Sequence, residues 1–201
     1  MDWSVVHDLN ELIRTHDLLE DPLTLFASVA VTIYAVMTVA LWFVARPEGA
    51  RRLRLACVSA LAAAGGGLLL NQAVGQFWFR ERPYAAHPHS LVLFSPPSHD
   101  PSFPSDHAAA AFAIAVAVFF FSRRLGVVFL VFAAAIACSR VLLAMHYPTD
   151  VFAGALTGTL AAVAVCTLGS RLVFRLTALA ARATDPILRP LWRLGDRFAQ
   201  S

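Results

Sequence analysis

Long apolar runs leave this chain few ways to fold. Residues 23–45, 53–79, 104–121, 125–145 and 148–174 are approximate stretches dominated by Ala, Val, Leu, Ile and Phe. About 20 such residues are what a helix needs to cross a hydrocarbon core ~30 Å thick. With 58% of its 201 residues apolar, 14% charged and a mean hydropathy of +0.65, the chain lies far outside the mix of soluble domains. The expected fold is all-α, a multi-pass transmembrane bundle of five spans behind an N-terminal amphipathic helix lying in the membrane interface.

No internal repeat or second domain is visible, so residues 1–201 read as one integral membrane domain. Residues 1–22 are its interfacial segment, because Val5, Val6, Leu9, Leu12, Ile13 and Leu19 recur near helical spacing among charges over 3–20. Residues 23–174 form the bundle. Residues 175–201, with Arg175, Arg182, Arg189, Arg193 and Arg197 among apolar residues, form a cytoplasmic or interfacial tail that Pro186 and Pro190 are expected to interrupt. Asp2, Asp8, Glu11, Asp17, Glu20 and Asp21 near the start, without a basic region before a short apolar stretch, predict no cleavable leader.

The formal charge of +3 comes with 16 basic residues, every one an Arg, and no basic stripe carries interleaved aromatics. Nucleic acid is therefore not an expected partner. Arg46, Arg51, Arg52 and Arg54, then Arg123 and Arg124, then the six Arg from Arg171 onward fall on one side of a five-span layout; Arg14, Arg80, Arg82 and Arg140 fall on the other. The positive-inside rule then predicts a plasma-membrane protein whose N-terminus and active site are extracytoplasmic and whose C-terminus is cytoplasmic. Cys57, Cys138 and Cys166 stand apart in apolar runs and read as packing residues.

Polar groups inside such a chain are costly and mark function. They gather in Arg80-Glu81-Arg82-Pro83, in Pro104-Ser105-Asp106-His107, and in Ser139-Arg140 followed by His146-Tyr147-Pro148-Thr149-Asp150. Ser105 precedes an apolar run after a Pro, as an N-cap does, and a helix starting there points unpaired N–H groups at an anion. Pro148 suits the first turn of another span, so two helix starts can converge on the same anion. His146 and His107 are the candidate catalytic imidazoles. Asp150, four residues after His146, is close enough to accept a hydrogen bond from one ring nitrogen and leave the other free to attack phosphorus. Arg82 and Arg140 can each hold phosphoryl oxygens bidentately, with Ser105 and Arg80 as further phosphate ligands.

No metal or other cofactor is expected. The chain lacks the clustered carboxylates of a magnesium site, and His87, His89 and His99, in the Pro-rich connection from Arg80 to Phe103, show no repeated ligand spacing. These three read as solvated imidazoles in a loop long enough to be functional. Gly65-Gly66-Gly67 is expected to allow close helix packing, Asn71 and Gln72 to bond across helices near the site, and Trp3, Trp42, Trp78 and Tyr84 to sit in aromatic belts.

Arg82-Pro83, Pro104-Ser105-Asp106-His107 and Ser139-Arg140-x5-His146-x3-Asp150 resemble, in order, the three motifs of the type 2 phosphatidic acid phosphatase superfamily. Ser102-Phe103-Pro104-Ser105-Asp106-His107 and Phe79-Arg80-Glu81-Arg82-Pro83-Tyr84 resemble more narrowly its bacitracin-resistance branch of undecaprenyl-diphosphatases. The resemblance implies a polyprenyl diphosphate substrate cleaved at the outer membrane face, recycling the carrier lipid for cell-wall synthesis. It also implies a phosphohistidine on His146, with Asp150 balancing its charge and His107 protonating the leaving oxygen. One position departs from the pattern: the family's Lys, seven residues before the Arg of Arg-Pro, is Gly75 here, which leaves Arg80 or Gln76 to cover for it. The alternatives are a phosphatidate or phosphatidylglycerophosphate phosphatase, and, in another class, a transport or non-enzymatic membrane protein. A vanadate haloperoxidase, which shares the site pattern, is disfavoured by the membrane composition. Membrane lipids are expected neighbours, and whether the chain forms a homo-oligomer stays open.

Overall fold

In lipid a backbone must satisfy its own N–H and C=O groups, and apolar runs of this length do so as helices. The computed structural model describes residues 2–45, 51–94, 96–98 and 100–199. Its helices are α1 (Asp2–Arg14), α2 (Asp17–Val44), α3 (Arg51–Gly75), the short α4 (Pro83–Ala86), α5 (Asp106–Phe121), α6 (Arg123–Leu142), α7 (Pro148–Thr167) and α8 (Ser170–Ala199). An all-helical membrane bundle is therefore the observed fold.

Among the described residues, four helices are long and apolar enough to cross a membrane: Leu18–Val44 of α2, then α3, α6 and α7. The helix α5, expected as a span, has 16 residues and rises only about 24 Å. It lies at the centre, packed against α3, α6 and α7 and touched by α2. Ala108–Ala111, Ala113, Ile114, Ala115, Ala117 and Val118 are all buried there, as expected of a helix apolar on every side. Across the bundle Tyr34 donates its hydroxyl to the Phe129 carbonyl at 2.9 Å and joins α2 to α6.

Several boundaries differ from the sequence reading. The helix expected over 3–20 ends at Arg14, and residues from Asp17 onward already belong to α2. Rather than lying apart, α1 packs on α2, α6 and α7, with Val6, Asn10 and Ile13 buried. The fifth apolar run divides into α7 and α8 around Leu168 and Gly169. Pro186 and Pro190 do not interrupt α8, which runs on to Ala199. Contacts on both sides of Pro186 hold its course: Trp42 Nε1 donates to Thr184 Oγ1, Arg54 pairs with Asp185, and Trp192 Nε1 donates to the Phe43 carbonyl.

The expected aromatic belt also divides. Trp78 is exposed, but Trp42 is buried. Trp3 stacks on His87 at 3.6 Å between ring centroids, and the Tyr84 hydroxyl donates to the Ser98 carbonyl and accepts from the Ser98 N–H. The long connection is thus fastened to the bundle, further clasped where Asn10 bonds both the N–H and the C=O of Val92. His89 is exposed; His99, Arg46 and Ser95 lie outside the described residues.

Candidate active site

The motif residues meet at one end of the bundle, where α5 and α7 begin and α3 and α6 finish. The two helix starts lie side by side: the Ser105 N–H donates to the Asp150 carbonyl at 3.0 Å. Glycine makes that approach possible, because a Cβ at Gly154 would run into the Ser105 carbonyl oxygen and one at Gly158 into that of Ala109. Of the Gly65-Gly66-Gly67 run, Gly67 packs near Gly158 while nothing lies within 4 Å of a Cβ at Gly65. Ser105 is the N-cap of α5 with extended backbone, but its hydroxyl makes no capping bond.

After α6 the chain turns back through Ala144, whose φ of 53° lies in the left-handed region and costs about 1–2 kcal/mol for a residue with a Cβ. The turn brings the His146 N–H to the Arg140 carbonyl at 3.2 Å. The ring is buried, 2% exposed. Its Nδ1 is 2.8 Å from the Ser102 carbonyl, an acceptor only, so Nδ1 carries the proton. Its Nε2 lies 3.4 Å from Arg82 Nη1, a donor only, so Nε2 keeps its lone pair. Burial holds the His146 pKa well below its ordinary 6.5, and the charges of Arg82 and Arg140 push the same way. The result is a neutral imidazole with its free nitrogen set among cations.

Asp150 does not bond to His146 as the sequence spacing predicted. Its Oδ2 is 3.9 Å from Nδ1, because that N–H is already given to the Ser102 carbonyl. The carboxylate is fully buried and receives the Ser102 hydroxyl, the Tyr147 N–H at 2.9 Å and Arg80 Nη1 at 2.8 Å. Ser102, to which the sequence reading gives a place in a motif but no role, thus touches Asp150 with its side chain and His146 with its backbone. Its own N–H donates to the Arg80 carbonyl at 2.8 Å.

Arg80, expected as a phosphate ligand, is committed elsewhere. Besides Asp150 it reaches Thr149 Oγ1 at 2.7 Å and Asp2 Oδ2 at 3.2 Å, and it lies over the Tyr147 ring. Two carboxylates have claimed its guanidinium.

Of the other candidates, Arg82, Arg140, His107 and His146 line a cavity of about 400 Å³, together with Asn71, Gln72, Gly75, Gln76 and Asp106, while Ser105 stands in the chain between the lining residues Pro104 and Asp106. Arg82 is braced by the carbonyls of Asp100 and Met145. Asn71 donates to Asp106 at 2.9 Å and accepts from Thr157 at 2.6 Å, the cross-helix bonding its sequence position predicts. Ser139 bonds back to Ile136 inside α6. Among the described residues of the motifs, Ser105 Oγ and Arg140 Nε are buried without a hydrogen-bond partner. Both can donate, and for Arg140, on the cavity wall, an oxyanion bound there would be the fitting acceptor.

Comparison with known proteins follows the same outline. Residues 54–174 match the PAP2 superfamily. The chain is 28% identical over 152 residues, 75% of each chain, to "Undecaprenyl-diphosphatase BcrC" of Bacillus subtilis. It is 30% identical over 166 residues, 83% of this chain and 79% of the other, to "Bacitracin transport permease protein BcrC" of Bacillus licheniformis. Among solved structures, the crystal structure of Aquifex aeolicus LpxE superposes with a TM-score of 0.65 at 25% identity, covering 81% of this chain and 92% of that one. With the matched segment, residues 54–174, containing every cavity-lining Arg and His, the chain belongs to the PAP2 superfamily.

Proposed function

We propose that this membrane phosphatase hydrolyses undecaprenyl diphosphate to undecaprenyl phosphate and phosphate, without a metal ion, at the extracytoplasmic face of the plasma membrane. The observation that carries the chemistry is the tautomer of His146, with Nδ1–H on a carbonyl and Nε2 bare beside Arg82. The likeness to the Bacillus subtilis diphosphatase supports the substrate.

In this reading Nε2 of His146 attacks the terminal phosphorus. The Nε2–P bond forms as the bond from phosphorus to the bridging oxygen breaks, and His107 gives that oxygen its proton. His107 then takes a proton from water, the water oxygen bonds to phosphorus, and the N–P bond breaks to release phosphate. Arg82, Arg140 and Ser105 hold the equatorial oxygens, where negative charge concentrates in the transition state. Asp150, 3.9 Å from the ring, balances the charge the imidazole gains on phosphorylation.

The test is phosphate release by the purified protein in detergent, with chelator present, from undecaprenyl diphosphate and from phosphatidate, beside His146→Ala. Release chiefly from the diphosphate, abolished in the variant, is expected. Faster cleavage of phosphatidate would keep the chemistry and replace the substrate. A second reading, bacitracin transport, draws support from the name of the Bacillus licheniformis relative; it predicts no phosphate release from either lipid.

A further inference from the structure

We propose that the end of the bundle away from the catalytic cavity holds a second anion site, between α3 and α8, that takes the headgroup of an anionic phospholipid. The site centres on Arg54, about 25 Å along α3 from the Asn71 that lines the catalytic cavity, at about 1.5 Å rise per residue. It does not depend on the reaction proposed above.

Arg54 is 4% exposed and held from several directions. Its Nε donates to the Ala45 carbonyl at 3.1 Å, and its guanidinium lies 5.0 and 5.5 Å from the ring centroids of Trp42 and Trp192. Asp185 Oδ1 sits 2.8 Å from Nη1 as an ion pair, without hydrogen-bond alignment. The remaining nitrogen, Nη2, is buried and has no hydrogen-bond partner among the described residues. A guanidinium cannot shed its charge to escape that cost, so two N–H donors stay unanswered in a medium where each matters.

Beside Arg54 lies a cavity of about 180 Å³, walled by Leu55, Phe174, Ala178 and Ala181 and bordered by Arg51 and Asp185. Arg51 rests over the Phe174 ring at 4.4 Å and is exposed. Two guanidinium groups against one carboxylate leave the site with a net positive charge, and Arg171 and Arg175 border the adjoining hollow with Phe174. A phosphodiester oxygen would accept from Nη2 of Arg54 and pair with Arg51, while an acyl chain would lie along the Leu55 and Phe174 wall. Cationic pockets with apolar sides between membrane helices suit anionic headgroups for these reasons.

Trp42 and Trp192 flank Arg54 and can report occupancy. Protein carrying Trp3→Phe and Trp78→Phe, so that those two indoles alone emit, is placed in detergent micelles doped with brominated phosphatidylglycerol or brominated phosphatidylcholine. Phosphatidylglycerol is expected to quench at about fivefold lower mole fraction, as one net positive charge at a surface implies. That preference should vanish in Arg51→Gln, at an exposed position, and in Arg54→Lys, both checked for folding by elution profile and by phosphate release at the far end. Equal quenching by the two lipids would overturn the proposal, as would a preference that survives both substitutions. Loss of the preference on adding inorganic phosphate would also overturn it, in favour of a site for the free ion.

Discussion

The carbonyl oxygen of Ser102 lies 2.8 Å from His146 Nδ1, closer to that nitrogen than the Asp150 carboxylate at 3.9 Å. Orientation and charge are therefore supplied by different residues. The carbonyl fixes which ring nitrogen is protonated, and the carboxylate anchors the carbonyl's owner through the Ser102 hydroxyl.

Removing the charge of Asp150 should consequently slow the enzyme less than it would if Asp150 set the tautomer. Asp150→Asn is expected to lower kcat about 10²-fold, where a wrong tautomer costs about 10⁴-fold in the serine-protease triad. Ser102→Ala keeps the carbonyl but strips a buried carboxylate of one donor, at about 1–3 kcal/mol of stability. Steady-state kinetics and thermal unfolding in detergent check both; a drop of about 10⁴-fold in Asp150→Asn would count against the division of labour.

Arg80 and Arg82 stand two residues apart and should fail differently. Because Arg80 is tied to Asp150 and Asp2, Arg80→Ala should lower kcat about tenfold or more and leave KM within about threefold, as loss of positioning does. Arg82→Ala, which removes a cation lining the cavity, should raise KM as well. The same KM rise in both would return Arg80 to the phosphate.

The low pKa of His146 has a sign that can be read. In the unfolded chain the imidazole takes up a proton near 6.5, while the folded one, held well below that by burial, stays neutral. The unfolded state binds more protons, so this group withdraws stability as pH falls through about 6.5. In ligand-free protein the ¹⁵N signal of His146, assigned by its loss in His146→Asn, should not titrate between about pH 7.5 and 6. A midpoint at or above 6.5 would contradict the geometry.

Gly154 and Gly65 make a matched pair on packed and open surfaces. Gly154→Ala presses a methyl into the Ser105 carbonyl and should cost about 1–3 kcal/mol, with activity falling as the α5 and α7 starts separate. Gly65→Ala meets nothing within 4 Å and should stay within about 0.5 kcal/mol of the parent. Denaturant or thermal unfolding in micelles compares them.

If His107 protonates the leaving oxygen, its importance depends on what leaves. A phosphate monoester departs from a diphosphate far more readily than an alkoxide departs from phosphatidate. His107→Ala should then lower kcat/KM for phosphatidate at least about tenfold more than for undecaprenyl diphosphate. Equal losses on the two substrates would remove His107 from that role.

What could be read in the sequence was whatever depends on side-chain type and spacing. The apolar runs marked the helices, and His107, His146, Arg82 and Arg140 stood out because such groups are costly in lipid; the fold brings these four to one cavity. What could not be read depends on backbone or on distant partners. Ser102 acts through its carbonyl, which every residue type possesses. Arg80 looked available because Asp2 and Asp150 are far from it along the chain. Gly154 and Gly158 did carry a legible signal, small residues one helical turn apart, which the glycine run in α3 overshadowed.

Arg80 also sets a schedule. One guanidinium joins Asp2, near the first residue, to Asp150, inside α7. At about 5–20 residues per second of synthesis, on the order of ten seconds separate the making of Asp2 from that of Asp150. Until then Arg80 has only one of its two anions and Ser102 has no acceptor for its hydroxyl. A ribosome that stalls before Asp150 is added therefore leaves α1 packed on α2 and α6 but with Arg80 and Ser102 still lacking the buried carboxylate that both bond.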